Sequence, residues 1–286
     1  MAPSRLLRPF RLPFADVWHG LDRCLGAGAR GRSLAALGLL AGWWIYVPVH
    51  ELLHAAACRA AGGEVTRLEI DRIYFGAALA RIFPFVVPAS DYAGRLSGFD
   101  THGSDWIYLA TDLGPFLLTL FPGVWALRRA ARARNALLFG AVLPFAFAPF
   151  LSLTGDAYEI GSILATRLPP WAGAATRALL RGDDLVRKLG ELADMPGAPW
   201  GGAILAALIG VAWAFLTYAL GDVVARALGS HPPGPPLPGE KRENALGGGL
   251  FNPPLSRRSG EPPASPPPPP PCGPSRDRPG SSCGWA

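Results

Sequence analysis

The chain has 286 residues, half of them hydrophobic and only 17% charged, with a formal net charge of +6 carried almost entirely by arginine. Apolar residues come in blocks and the charges collect between them, which argues against a single soluble domain and makes a bilayer the expected solvent for the apolar faces. The arginines flank the blocks instead of forming a separate basic region, so no nucleic acid partner is expected.

Residues 1–32 contain six arginines and no uninterrupted apolar core of signal-peptide length. Phe14, Val17, Trp18, Leu21 and Leu25 recur at helical spacing, which predicts a short helix lying on the membrane surface or packed on the protein. The first apolar block, Ser33 to Cys58, is closed by Arg32 and Arg59 and has the length of a membrane span. Residues 64–88 do not read as a span. Val65, Leu68, Ile70, Ile73 and Phe75 look like strand residues, and the apolar run Ile73 to Ala89 is interrupted by Arg81, Pro84 and Pro88. A β-hairpin or re-entrant element is expected there, with a mixed surface loop as the alternative.

Three further spans are expected over Trp106–Leu127, Ala136–Leu153 and Gly202–Ala225. The short loop holding Arg128, Arg129, Arg132 and Arg134 is the strongest orientation signal. It places that loop, the N-terminus and the C-terminal segment inside, and residues 60–105 and 155–201 outside. From residue 230 onward the composition turns to proline, glycine, serine and arginine, with an unbroken proline run over Pro266–Pro271. Such a segment buries too little apolar surface to fold, so 230–286 is expected to be a disordered, proline-rich tail. The fold class is then an all-α, polytopic bundle of about four transmembrane helices: a basic segment (1–32), a membrane-embedded domain (33–229) and the tail. Cys24, Cys58, Cys272 and Cys283 contain no CxxC pair and suggest neither a disulfide framework nor a cysteine metal site.

The sequence Val49-His50-Glu51-Leu52-Leu53-His54-Ala55 carries the most specific chemical signal. Histidines at i and i+4 share one helical face and can reach one zinc ion, and the glutamate between them can take a proton from a water that the metal acidifies. Only five histidines occur in the chain, yet two fall at ligand spacing inside an apolar helix, where ionisable groups are costly and mark function. Glu51 is the candidate catalytic residue, and His50 and His54 are candidate metal ligands.

His-Glu-Leu-Leu-His within a hydrophobic first helix resembles the site-2 protease family of intramembrane zinc metalloproteases. The resemblance implies a third ligand, an aspartate on a later helix. Asp156, in Leu153-Thr154-Gly155-Asp156-Ala157-Tyr158-Glu159, is the closest match, although it follows a glycine where the family's aspartate precedes one, and the family's nearby asparagine is absent. Gly114-Pro115 resembles the Gly-Pro pair of an intervening core helix. The resemblance covers residues 33–165 and implies a Zn2+ cofactor and a site nearer the cytoplasm, whereas the arginine pattern places the site towards the outer face. Asp112, His102 and Glu159 remain alternative third ligands. Trp43, Trp44 and Tyr46 read as lipid-facing or core aromatics.

The expected activity is hydrolysis of peptide bonds in or near transmembrane segments of membrane-protein substrates, by a multi-pass protein of a bacterial cytoplasmic membrane. Two other functions fit the same residues. One is a non-catalytic zinc-binding membrane protein with a structural or transport role, and the other is a membrane scaffold acting through its proline-rich tail.

Overall fold

A computed structural model describes residues 7–26, 28–167, 173–182 and 184–232; the expected tail lies outside the described residues from 233 onward. The protein is mostly helical. Helix α1 (Arg8–Leu25) is followed by α2 (Ala29–Ala60), a small sheet of β1 (Glu64–Ile70), β2 (Val86–Val87) and β3 (Gly94–Asp100), and a one-turn helix α3 (Gly76–Leu79) between β1 and β2. Then come α4 (Asp105–Leu113), α5 (Val124–Arg132), α6 (Ala136–Ala146), α7 (Ala148–Leu151), α8 (Asp156–Arg167), α9 (Ala174–Leu180), α10 (Leu185–Ala193) and α11 (Trp200–Ala227). Among the described residues, three helical stretches are long and apolar enough to cross a membrane: Gly28–Ala60, Asp105–Arg132 and Trp200–Ala227.

The chain is mostly helical as expected, and the element expected after the first apolar helix is a small sheet whose order is β2-β1-β3. More than a hairpin forms: β1 pairs antiparallel with β3 and parallel with the two-residue β2. In β1 the buried residues are Val65, Leu68 and Ile70. The first two are three apart, so strict alternation would place them on opposite faces. A register irregularity at Val65–Leu68 inserts the extra residue and returns both to the core. That core face packs under Ala55 and Cys58 of α2, which ties the sheet to the helix carrying the histidines.

The third expected span is not one helix. α6 ends at Ala146, α7 runs for four residues, and Gly155 leads into α8. Pro144 and Pro149 explain the interruption, because each lacks a backbone N–H and crowds the preceding turn. α6 is parallel to α2: Gly38 meets Leu137 and Ala141, Gly42 meets Ala141, and Tyr46 meets Phe145. α8 is antiparallel to α11, with Gly161 against Ala206 and Gly210 against Ala157. α6, α7 and α8 therefore form one broken passage, and Asp156 opens its second half instead of ending a span. Among the described residues, the connection from 155 to 201 contains α8, α9 and α10, of which α8 is buried almost all round.

The second span is also interrupted, by a 3₁₀ turn at Gly114–Phe116 and by extended backbone at Phe121, before α5 completes it. At the far end, Arg128 is 3% exposed and donates to two carboxylates. Its Nε and Nη2 bond Asp16 Oδ2 of α1 at 2.9 and 2.7 Å, and its Nη1 bonds Asp222 Oδ1 of α11 at 2.8 Å. Tyr218 completes the group by donating to Asp16 Oδ2 at 2.9 Å. One guanidinium thus joins α1, α5 and α11. α1 is a helix as expected, with Leu12, Asp16, Gly20 and Cys24 buried on the protein and Phe10, Phe14 and Trp18 exposed.

Removing one partner of a buried ion pair leaves the other charges stranded. Arg128→Ala is expected to lower the unfolding free energy by about 3–5 kcal/mol. Arg8, which reaches Asp222 Oδ2 only at 4.0 Å from an exposed position, is expected to contribute under about 1 kcal/mol. Unfolding titrations in mixed micelles measure both.

Candidate metal centre

The His-Glu-Leu-Leu-His segment lies within α2, so His50 and His54 are one turn apart on the same face. Both are buried, at 8% and 7% exposure, and their Nε2 atoms lie 3.2 Å apart. Asp156 meets them at the break before α8: Oδ2 lies 3.1 Å from His50 Nε2 and Oδ1 lies 3.4 Å from His54 Nε2. The structure thus brings together the three residues that the sequence suggested as ligands.

The groups behind the imidazoles set what they can offer. His54 Nδ1 is 2.9 Å from the carbonyl oxygen of Thr111 in α4. A carbonyl only accepts, so Nδ1 carries the proton and Nε2 presents a lone pair to the centre. His50 Nδ1 is 2.9 Å from the buried Tyr46 hydroxyl, which leaves His50 Nε2 facing the same point. α4 can approach this closely because Gly114 has no side chain; a Cβ there would lie 2.8 Å from Ala57 Cβ of α2. Asp156 and Glu159 occupy the first turn of α8, where the unpaired N–H groups of a helix start favour negative charge.

A cation fits this arrangement. One ligand atom from each of the three residues lies within 4.8 Å of the others, and the 3.2 Å between the two Nε2 atoms is close to the separation of about 3.3 Å between ligand atoms about 2.05 Å from a tetrahedral zinc. Asp156 Oδ2 is buried and makes no hydrogen bond within the protein, as expected of an oxygen whose partner is an ion. Two imidazoles and one carboxylate form the donor set of a site that keeps a fourth position open.

The centre borders a cavity of about 640 Å³. Glu51, Asp112, Asp156 and Glu159 line it, as do Gly94 to Ser97 of β3 and Asp184 and Arg187 at the start of α10. Glu51 lies against Gly94, where a Cβ would sit 2.9 Å from the Glu51 carboxyl carbon. The alternative third ligands fall elsewhere. Asp112 is buried and lines the cavity without joining the three-residue group, Glu159 accepts a hydrogen bond from the Tyr108 hydroxyl, and His102 is half-exposed beyond β3, 3.4 Å from Asp100.

Two contributors were missed in the sequence. Residue type marks Tyr46 only as a lipid-facing or core aromatic; it is core, but its hydroxyl also orients His50. The signal was its place four residues before His50, on the same helical face. Thr111 acts through its backbone and leaves no trace in residue type. The other two aromatics behave as expected: Trp43 and Trp44 are partly exposed, and Trp44 stacks on Phe75.

No family model matches the chain, and no curated protein or solved structure matches it either.

Purified protein is expected to hold one divalent ion, and His50→Ala, His54→Ala and Asp156→Ala are each expected to lose it. Tyr46→Phe should keep the ion with affinity about 10–100-fold weaker, measured by competition with a chromophoric chelator. Unchanged affinity would show that the tyrosine does not tune the ligand.

Proposed function

We propose that the protein is an intramembrane zinc metalloprotease, similar to the site-2 protease family, that hydrolyses peptide bonds in or near membrane-spanning segments of other proteins. The observation that carries this reading is the convergence of His50, His54 and Asp156 at a cavity that Glu51 also lines. In this reading α2, the α4–α5 run and α11 cross the bilayer, and the broken passage α6–α7–α8 is the fourth crossing. Asp156 is then at mid-depth, at the break. Irregular backbone at such depth requires protein or water beside it, and Ser152, Thr154 and Gly155 line the cavity.

Bound by the two imidazoles and the carboxylate, zinc supplies a Lewis acid for the scissile carbonyl and an acidified water. The protein supplies position and proton transfer. β3 is an edge strand of the sheet, and an edge offers main-chain N–H and C=O groups to an extended peptide. Gly94 lies on that edge against Glu51, so a peptide paired along β3 passes close to the carboxylate. Glu51 takes the proton from the attacking water and delivers it to the leaving nitrogen. The C–N bond breaks, giving a carboxylate and an amine. A helical substrate segment must unwind locally to pair this way, and the cavity has the volume of a site that takes a ligand of several residues.

Glu51→Gln is expected to keep the ion while slowing cleavage of single-span test peptides in micelles by about a hundredfold or more. Ion content and product release are measured on the same preparation. A variant that retains both ion and wild-type rate would assign the centre to a structural or transport role.

A further inference from the structure

α11 is a scale of depth, and α1 touches it at two marks. Arg226 closes the apolar run of α11, Asp222 stands one turn before it, and Phe215 lies eleven residues before Arg226, about 16 Å along the axis. That distance is close to half the hydrocarbon thickness of a bilayer, about 15 Å. Arg8 of α1 reaches Asp222 Oδ2 at 4.0 Å, whereas the rings of Phe10 and Phe14 meet the Phe215 ring at centroid distances of 5.0 and 6.2 Å. Arg8 and Phe10 are only two residues apart, about 3 Å of rise, but point to nearly opposite sides of their helix. α1 therefore runs crosswise to α11, with one side turned to its charged end and the other to its apolar middle.

The residues of α1 sort into three sides. Leu12, Asp16, Gly20 and Cys24 are buried against the bundle. Phe10, Phe14 and Trp18, at i, i+4 and i+8, remain exposed, Trp18 at 75%. Arg8, Arg11, Ala15 and Asp22 are exposed along a third line. A helix docked on a protein in water needs two sides, one buried and one polar. The third, aromatic side leaves large apolar surface that only an apolar neighbour stabilises. At its level the exposed side chains of α11 are Leu208, Val211 and Leu216, so on a crossing helix that neighbour is lipid. The adjoining arginines suit the phosphates found nearer the surface.

We propose that α1 is an in-plane membrane helix, with Phe10, Phe14 and Trp18 among the acyl chains of the leaflet that holds the end of α11, and Arg8 and Arg11 at the level of its headgroups. Asp16 joins α1 to Arg128 of α5 and to Tyr218 of α11, so the same helix sets the height of both in that leaflet. The inference rests on the reading of α11 as a crossing helix and is independent of any hydrolytic activity.

Spin labels on single introduced cysteines of the full chain test it, in vesicles of phosphatidylcholine and phosphatidylglycerol and with Cys272→Ser and Cys283→Ser as background. Trp18→Cys reports the aromatic side, Ala15→Cys the polar side and Leu208→Cys the lipid-facing side of α11; all three positions are exposed, so the fold tolerates the label. Labels at 18 and 208 are expected to collide freely with oxygen, and to meet a water-soluble nickel chelate about tenfold or more less often than the label at 15. Equal chelate collision at 18 and 15 would overturn the proposal by placing both sides of α1 in the same medium. A label at 18 shielded from oxygen and chelate alike would also overturn it, by giving the stripe a protein partner such as a second copy of the chain. Chelate reaching the label at 208 would remove the crossing of α11 and the proposal with it, which separates failure of that reading from failure at α1 alone.

Discussion

The hydrogen bond between His54 Nδ1 and the Thr111 carbonyl is the constraint on which the centre depends. It joins α2 to α4, fixes which ring nitrogen bears the proton and turns the other towards His50 and Asp156. It forms only because Gly114 lets the two helices close on each other. Without that contact the two histidines would still share a helical face, but His54 would be free to rotate away from the aspartate. Tyr46 plays the matching part for His50 within α2 itself, at the cost of no inter-helix contact.

The aspartate arrives by a different route. A continuous third helix would carry residue 156 past the histidines inside a regular backbone. Proline at 144 and 149, with glycine at 155, breaks the passage where the acid is needed, and a new helix begins at Asp156 with its first turn facing the centre. Breaks in the second and third passages thus lie around the one region where backbone groups can face a cavity. The continuous α2 and α11 form the frame, and close glycine and alanine contacts hold α6 to α2 and α8 to α11. At the other end of α11, some 12 residues or about 18 Å from Gly210 to Asp222, the Arg128 network holds α1 and α5 to the same helix. The two polar clusters are spatially separate, one able to hold a metal ion and the other binding helices together.

Much of this was legible in the sequence, and the reasons for the rest are physical. The histidine pair and the extents of α2 and α11 follow from spacing and from uninterrupted apolar length. Asp156 could be named only as the nearest carboxylate of the right kind, because apolar composition alone does not tell a straight helix from one broken at Pro149. Strand β1 announced itself through Val65, Leu68 and Ile70, whereas β3, with glycines at 94 and 98 and charges at 95 and 100, shows no apolar alternation. Pairing with β1 makes it a strand, so a tertiary contact overrides weak local preference. The carbonyl of Thr111 is invisible to any reading of side chains.

X-ray absorption at the zinc edge, on full-length protein loaded with one equivalent of zinc, tests the central claim most directly. The account predicts a first shell of nitrogen and oxygen at about 2.0–2.1 Å containing two imidazoles, and in His54→Ala the loss of that shell, leaving only the spectrum of the free ion. A shell that contains sulfur, or one unaltered by that substitution, would contradict it.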